Sequence, residues 1–122
     1  MRALLVLVLL PWAALAAEPS AGEALYRRYC ASCHGLEGRG DGPAAGALSP
    51  KPTDLTRSTA DVPELMRWID GRATVRAHGT AAMPVWGEVF EQALIEEPHR
   101  RRTALLQAKT LAEYVHALER GR

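Results

Sequence analysis

Cys30-Ala31-Ser32-Cys33-His34 is the stretch that most constrains this chain, because it holds both cysteines of the 122 residues. One helical turn places thiols at this spacing on the same side of the backbone, where each can form a thioether with a haem vinyl group. The adjacent imidazole can then bind the haem iron. The motif therefore predicts one haem c, attached covalently through Cys30 and Cys33, with His34 as an iron ligand.

Three other uses of the cysteine pair agree less well with the sequence. A disulfide in an exported protein is one, but a bridge at this spacing encloses too short a loop to stabilise much. A thioredoxin-like redox pair needs a βαβ setting, and no strand-like run precedes the motif. A structural zinc site takes four Cys or His ligands, usually as two spaced pairs. The remaining histidines, His78, His99 and His116, have no such spacing.

The N-terminus has the pattern of a secretory signal. Arg2 forms a charged start, an apolar run covers 3–10, and Ala14-Leu15-Ala16 is a cleavage site of the A-x-A type. We expect residues 1–16 to be a signal peptide and 17–122 to be one domain in the periplasm. The apolar stretch is shorter than the roughly 20 residues of a spanning helix, so no membrane span is expected after cleavage. The alternative is an uncleaved amphipathic anchor.

The charge balance bears on the kind of partner, and the aromatic content bears on the core. The chain has 15 basic and 14 acidic residues and no basic stripe, which argues against a nucleic-acid partner. It contains three tryptophans, three tyrosines and one phenylalanine, few for the core of a domain of this size. A haem would supply the missing flat apolar mass, so we expect folding to be coupled to its attachment.

Helical periodicity predicts an all-α domain, because no alternating strand pattern occurs. A capping box formed by Ser20 and Glu23 starts the first helix. Between Gly35 and Pro63 the chain is rich in Gly and Pro, which indicates either a loop that wraps a cofactor or a disordered segment. The predicted helices run to about Cys33, over Pro63–Asp70, over Val85–Gln92 as a short turn, and over Thr103–Glu119.

Over most of its length after the signal, the chain resembles a class I cytochrome c of the small bacterial monohaem type. The resemblance rests on five features besides the cysteine motif. They are Gly22 with Tyr26 in the first helix, Tyr114 in the last, the loop Gly40-Asp41-Gly42-Pro43, the run Pro50-Lys51-Pro52-Thr53-Asp54-Leu55, and Met83-Pro84.

The resemblance implies the cytochrome c fold, with three to five short helices and long loops wrapped around one covalent haem. In that family the first and last helices cross, which implies a contact between Gly22 and Tyr114 with Tyr26 beside it. It also implies that the Pro43 carbonyl accepts a hydrogen bond from His34, and that Met83 is the second iron ligand.

The residues themselves leave the second iron ligand open between three interpretations. Met83 precedes Pro84, which favours an extended backbone that can direct a thioether at a metal. It could instead fill the core, and His78 is the competing ligand; Met66 is interpreted as a core residue of a helix. Trp68, Trp86 and Phe90 are expected either to pack on a haem or to form ordinary core.

With His34 and Met83 as ligands the iron is closed to substrates, which favours a carrier of single electrons between redox partner proteins over an enzyme. An alternative of another class is a haem enzyme or gas-binding protein with an open iron position, against which Met83 argues. A further alternative is a haem subunit of a larger oxidase or dehydrogenase complex. The charged segment 91–102 is the sequence feature that would support it. We therefore expect a monomer or a subunit of a redox complex.

Overall fold

The first helix begins at Ser20, the predicted N-cap residue, while the Glu23 carboxylate pairs with Arg27. In the computed structural model, which describes residues 18–72 and 83–120, the Ser20 hydroxyl accepts a hydrogen bond from the Glu23 backbone N–H at 3.1 Å. Helix α1 covers Ala21–Tyr29, and a short helix α2 follows over Ala31–His34. The chain leaves α2 at Gly35, where φ is +80°. The predicted helix is therefore present but divides at Cys30, so that the cysteine motif forms its own turn.

Helix α3 covers Val62–Asp70 and has a defined start and end. Asp61 caps it, because its carboxylate accepts from the Glu64 N–H at 2.8 Å, and a proline stands in the first turn. Gly71 ends it in the left-handed conformation with φ +70°. The predicted bounds are confirmed to within one residue.

Two helices follow Met83. Helix α4 covers Trp86–Ala93, and α5 covers Arg100–Arg120. The last helix begins three residues before its predicted start. Within the described ranges the chain has five α-helices and no strand, which confirms the all-α prediction.

Helix α5 is the centre of the packing, since it contacts α1, α3 and α4. Three alanines and one leucine on its inner face are fully buried: Ala104, Ala108, Leu111 and Ala112. The short side chains of the three alanines let neighbouring helices approach closely. None of the helices that the structure describes is both long enough and apolar enough to cross a bilayer.

The crossing of α1 and α5 lies where the resemblance implies it. A Cβ atom on Gly22 would stand 2.8 Å from the Tyr114 Cβ and 2.9 Å from the Thr110 carbonyl oxygen. The rings of Tyr26 and Tyr114 lie with centroids 5.2 Å apart. A glycine is therefore needed at this contact, and the predicted crossing is confirmed.

The stretch from 35 to 61 forms a loop with two single turns of 3-10 helix, at Ala45–Ala47 and Leu55–Arg57. Hydrogen bonds fasten it to the cysteine motif: the Ala44 N–H donates to the Ser32 carbonyl at 2.9 Å, and the Gly42 N–H to the Cys33 carbonyl at 3.1 Å. This loop forms part of the cavity described next.

Candidate functional site

A cavity of about 540 Å³ lies between the cysteine motif, α3 and α5, with the loop 53–60 as a further wall. Its volume falls within the roughly 300–1,000 Å³ typical of ligand pockets. Helix α3 contributes the apolar residues Leu65, Trp68 and Ile69, and α5 contributes Val115. The polar residues that line the cavity, besides His34, are Thr53, Asp54, Arg57, Ser58 and Thr59 from the loop and Glu64 from α3. A partly apolar cavity whose polar residues lie mostly along one segment suits a flat apolar ligand that carries charged substituents.

The structure brings three of the four predicted site residues to this cavity: Cys30, His34 and Met83 all line it. Cys33 is not among the lining residues and is half-buried, one helical turn from Cys30, whose carbonyl accepts from the Cys33 N–H at 3.1 Å. Residues separated by about fifty positions in the chain therefore meet at one cavity.

Both cysteines are free thiols in the structure. Burial raises the pKa of the Cys30 thiol to about 12, and the neighbouring Cys33 adds to the shift. Cys30 is therefore a neutral thiol at ordinary pH, at the edge of an apolar cavity, and it forms no disulfide with its partner in the motif.

His34 is half-buried, and its Nδ1 lies 2.9 Å from the Thr53 carbonyl oxygen. Because a carbonyl can only accept, Nδ1 must carry the proton, and the lone pair then resides on Nε2. Burial lowers the pKa of the imidazole, and the hydrogen bond to Thr53 opposes this shift. A neutral imidazole with one nitrogen anchored to a carbonyl is the form in which histidine binds metals.

The acceptor for His34 corrects one expectation: it is Thr53 and not Pro43. The cause is the path of the glycine loop. The Gly40 N–H donates to the His34 carbonyl at 2.8 Å, and the Leu55 N–H donates to the Gly38 carbonyl at 2.7 Å. These bonds bring the segment before Leu55 against the imidazole.

Met83 is half-buried and lines the same cavity. The competing ligand His78 lies outside the described residues. Met66 lies in α3, packs against the hydrophobic core and is not among the residues that line the cavity. Its interpretation as a core residue agrees with this position.

The three aromatic candidates divide between cavity and core. Trp68 lines the cavity. Phe90 is fully buried, Trp86 stacks on it with centroids 6.0 Å apart, and the Tyr29 ring meets Phe90 edge-on at 5.2 Å. For Trp86 and Phe90 the structure therefore favours the core alternative.

Sequence reasoning missed the wall formed by residues 53–60 as a functional element. From the sequence, the run Pro50–Leu55 is only a feature shared with the class I cytochromes c, and it predicts no contact with the haem or its ligands. The available signal was the sequence Asp54-Leu55-Thr56, in which an Asp precedes a Thr by two positions, a spacing typical of a side-chain-capped turn.

These residues fit a haem c. The cavity offers a thiol, an imidazole with one nitrogen anchored to a carbonyl, and a thioether, beside apolar walls. A zinc site agrees less well, since within 18–72 and 83–120 no three His, Cys, Asp or Glu side chains cluster to hold a bare ion.

Comparison with known families gives a match over most of the chain. The family model described as "Cytochrome C oxidase, cbb3-type, subunit III" matches residues 17–97, about two thirds of the chain. Comparison with curated proteins gives no match, and comparison with solved structures gives none either. The chain belongs to this cbb3-type family: it is a cytochrome c domain that binds haem c, and its chemistry is haem-based electron transfer.

Proposed function

We propose that this protein is an exported monohaem carrier that passes single electrons between redox partner proteins. In this proposal Cys30 and Cys33 hold the haem through thioethers, and His34 and Met83 bind its iron. The observation that carries the proposal is that Cys30, His34 and Met83 line one cavity.

The bound haem c supplies a one-electron couple, and a methionine ligand raises the potential of that couple relative to two histidines. The residues of the chain hold the ligands in place. His34 is oriented by the Thr53 carbonyl, and Met83, which lines the same cavity, would bind the iron as its second protein ligand and so leave no position for a small molecule. A site closed on both sides favours transfer of an electron over transformation of a substrate.

Export to the periplasm is part of the proposal and rests on residues 1–16. We expect the protein recovered from the periplasm to begin at Ala17. Intact mass measurement of that fraction tests this, and an uncleaved N-terminus would support the amphipathic anchor instead.

Replacement of Met83 tests the closed site. Met83→Ala should let carbon monoxide bind to the reduced protein, because the second axial position is then open. Met83→His should lower the reduction potential, since imidazole stabilises ferric iron better than a thioether does. Absorption spectra with and without carbon monoxide, together with a redox titration, measure both effects.

His78→Ala is the matched control for the Met83 variants. It should keep the wild-type spectrum and potential if Met83 is the ligand. The opposite pattern, with Met83→Ala unchanged and His78→Ala open to carbon monoxide, would contradict both the ligand assignment and the argument for a carrier.

The second candidate function is a haem subunit of a larger oxidase, which the description of the matching family favours. Sedimentation of the native protein, solubilised gently from membranes or taken from the periplasm, separates the two. A single species near the mass of one chain supports the carrier, and stable co-sedimentation with other haem proteins supports the subunit.

A further inference from the structure

We infer that Asp54 is a positioning residue for the iron ligand His34 and acts through the Thr53 carbonyl. The inference rests on the proposed role of His34 as a haem ligand. Asp54 lies outside the cysteine motif, and in this inference it affects the basicity of the His34 imidazole.

The first step is the peptide plane that Thr53 shares with Asp54. The carbonyl that accepts from His34 at 2.9 Å belongs to the peptide unit whose nitrogen is that of Asp54. The orientation of this unit therefore depends on how the Asp54 backbone is held.

The side chain of Asp54 holds that backbone. Its Oδ1 accepts from the Thr56 N–H at 3.0 Å and from the Thr56 hydroxyl at 2.6 Å. Asp54 thereby caps the 3-10 turn Leu55–Arg57. The Asp54 backbone itself is extended, with φ −70° and ψ 103°. Thr56 is buried, at 8% exposure, and Asp54 is half-buried, so these two hydrogen bonds are partly shielded from solvent.

Backbone hydrogen bonds also join the residue after Asp54 to the glycine loop, and that loop to His34. The Leu55 N–H donates to the Gly38 carbonyl at 2.7 Å, and the Gly40 N–H donates to the His34 carbonyl at 2.8 Å. With the bond from His34 to Thr53, these contacts close a ring that joins the imidazole, the glycine loop and the capped turn. Loss of the cap at Asp54 should therefore change the position of the Thr53 carbonyl relative to His34 Nδ1 and weaken the hydrogen bond between them.

The chemical consequence is a shift in ligand strength. A well-placed acceptor on Nδ1 raises the basicity of the imidazole, and a more basic ligand favours oxidised iron. Loss of the cap should weaken this bond and raise the reduction potential. Asp54 also lines the cavity as a carboxylate, and removal of its charge raises the potential too, so the two effects must be separated.

Two substitutions separate them in the holoprotein. Asp54→Asn removes the charge but keeps the Oδ1 acceptor, so its potential should rise through charge alone. Asp54→Ala removes both, so its potential should rise further, and the His34 Nδ1–H should exchange with solvent faster in ¹⁵N NMR spectra. Thr56→Val keeps the charge and loses one bond to the cap; it should also speed Nδ1–H exchange, and Thr56→Ser should restore the wild-type rate.

Pro43→Ala is the control, because the family pattern places the acceptor there. It should leave the Nδ1–H exchange rate unchanged. Equal potentials and exchange rates in Asp54→Ala and Asp54→Asn, with Thr56→Val at the wild-type rate, would overturn the inference, as would faster exchange in Pro43→Ala alone. If the wild-type protein lacks a His34-ligated haem in the same spectra, the proposed function fails first.

Discussion

At the scale of single residues, Gly22 shows how one missing side chain sets the distance between two helices. A Cβ at this position would meet the Tyr114 Cβ at 2.8 Å and the Thr110 carbonyl oxygen at 2.9 Å. The carbonyl is part of the α5 backbone, so it cannot move aside as a flexible side chain can. The contact therefore admits glycine alone without a shift of the helices.

Gly22→Leu should destabilise the folded protein by about 1–3 kcal/mol through overpacking. Denaturant unfolding followed by far-UV circular dichroism measures the change. Gly46→Ala is the control: a Cβ on Gly46 has open space around it, so this variant should unfold at or slightly above the wild-type midpoint. An unchanged midpoint for Gly22→Leu would show that α1 and α5 are less closely packed.

Tyr26 illustrates a buried polar group whose partner lies nine residues away. Its hydroxyl donates to the Gly35 carbonyl at 2.7 Å, and the residue is fully buried. The bond joins α1 to the glycine that ends α2. Burial raises the pKa of the Tyr26 phenol well above its usual value.

Tyr26→Phe should cost about 1–3 kcal/mol, because the Gly35 carbonyl is left buried without this donor. The variant should also lose less stability at alkaline pH. Up to about pH 10 the phenol is neutral in both states; above it the unfolded chain loses the proton first, so wild-type stability falls as pH rises. Unfolding curves at pH 8 and pH 11 test this. An equal loss of unfolding free energy between these pH values in the wild type and in Tyr26→Phe would contradict it.

At the scale of elements, α3 has both a structural and a functional role. It supplies Leu65, Trp68 and Ile69 to the cavity, and its C-terminal end is joined to α4 through Arg72. The Arg72 guanidinium contacts Asp70 at 2.6 Å and Glu91 at 2.8 Å. Its start depends on the cap at Asp61.

Asp61→Ala should destabilise the protein by about 1 kcal/mol, the usual cost of losing an N-cap. Asp61→Asn keeps an acceptor for the Glu64 N–H and should cost much less. Thermal unfolding of the two variants side by side measures the difference. A midpoint for Asp61→Ala equal to that of the wild type would mean that α3 is held by its packing alone and that the cap adds nothing.

At the scale of the whole molecule, the cavity of about 540 Å³ separates parts of α3 and α5 that could otherwise pack together. Without a ligand, Leu65, Ile69 and Val115 lack apolar neighbours on the side that faces the cavity. Contacts with a flat apolar ligand would restore the dispersion attraction that those side chains lose. We therefore expect the bound haem to contribute strongly to the stability of the fold.

The haem-free chain should accordingly lack a cooperative thermal transition. Expression without the haem-attachment machinery gives this material, and calorimetry tests it. The Cys30→Ala, Cys33→Ala double variant is the companion experiment, since acidified acetone should extract haem from it but not from the wild type. A sharp transition in haem-free protein, or extraction from the wild type, would contradict the prediction.

The sequence by itself determined the helices and the attachment motif, because the signals for both are local. The N-cap at Ser20, the left-handed glycine at Gly71 and the spacing of Cys30 and Cys33 each act within one or two helical turns. The periodic apolar residues of α3 and α5 are equally local. For this reason the predicted helix bounds differ from the observed ones by only a few residues.

The tertiary structure alone decided which distant groups meet. The choice of Thr53 over Pro43 as acceptor for His34 depends on the path of a glycine loop held by hydrogen bonds from Gly40 and Leu55. The division of Trp68 from Phe90, one in the cavity and the other in the core, depends on how three helices pack. No local pattern encodes such contacts, since they arise from the balance of many weak interactions between segments far apart in the chain.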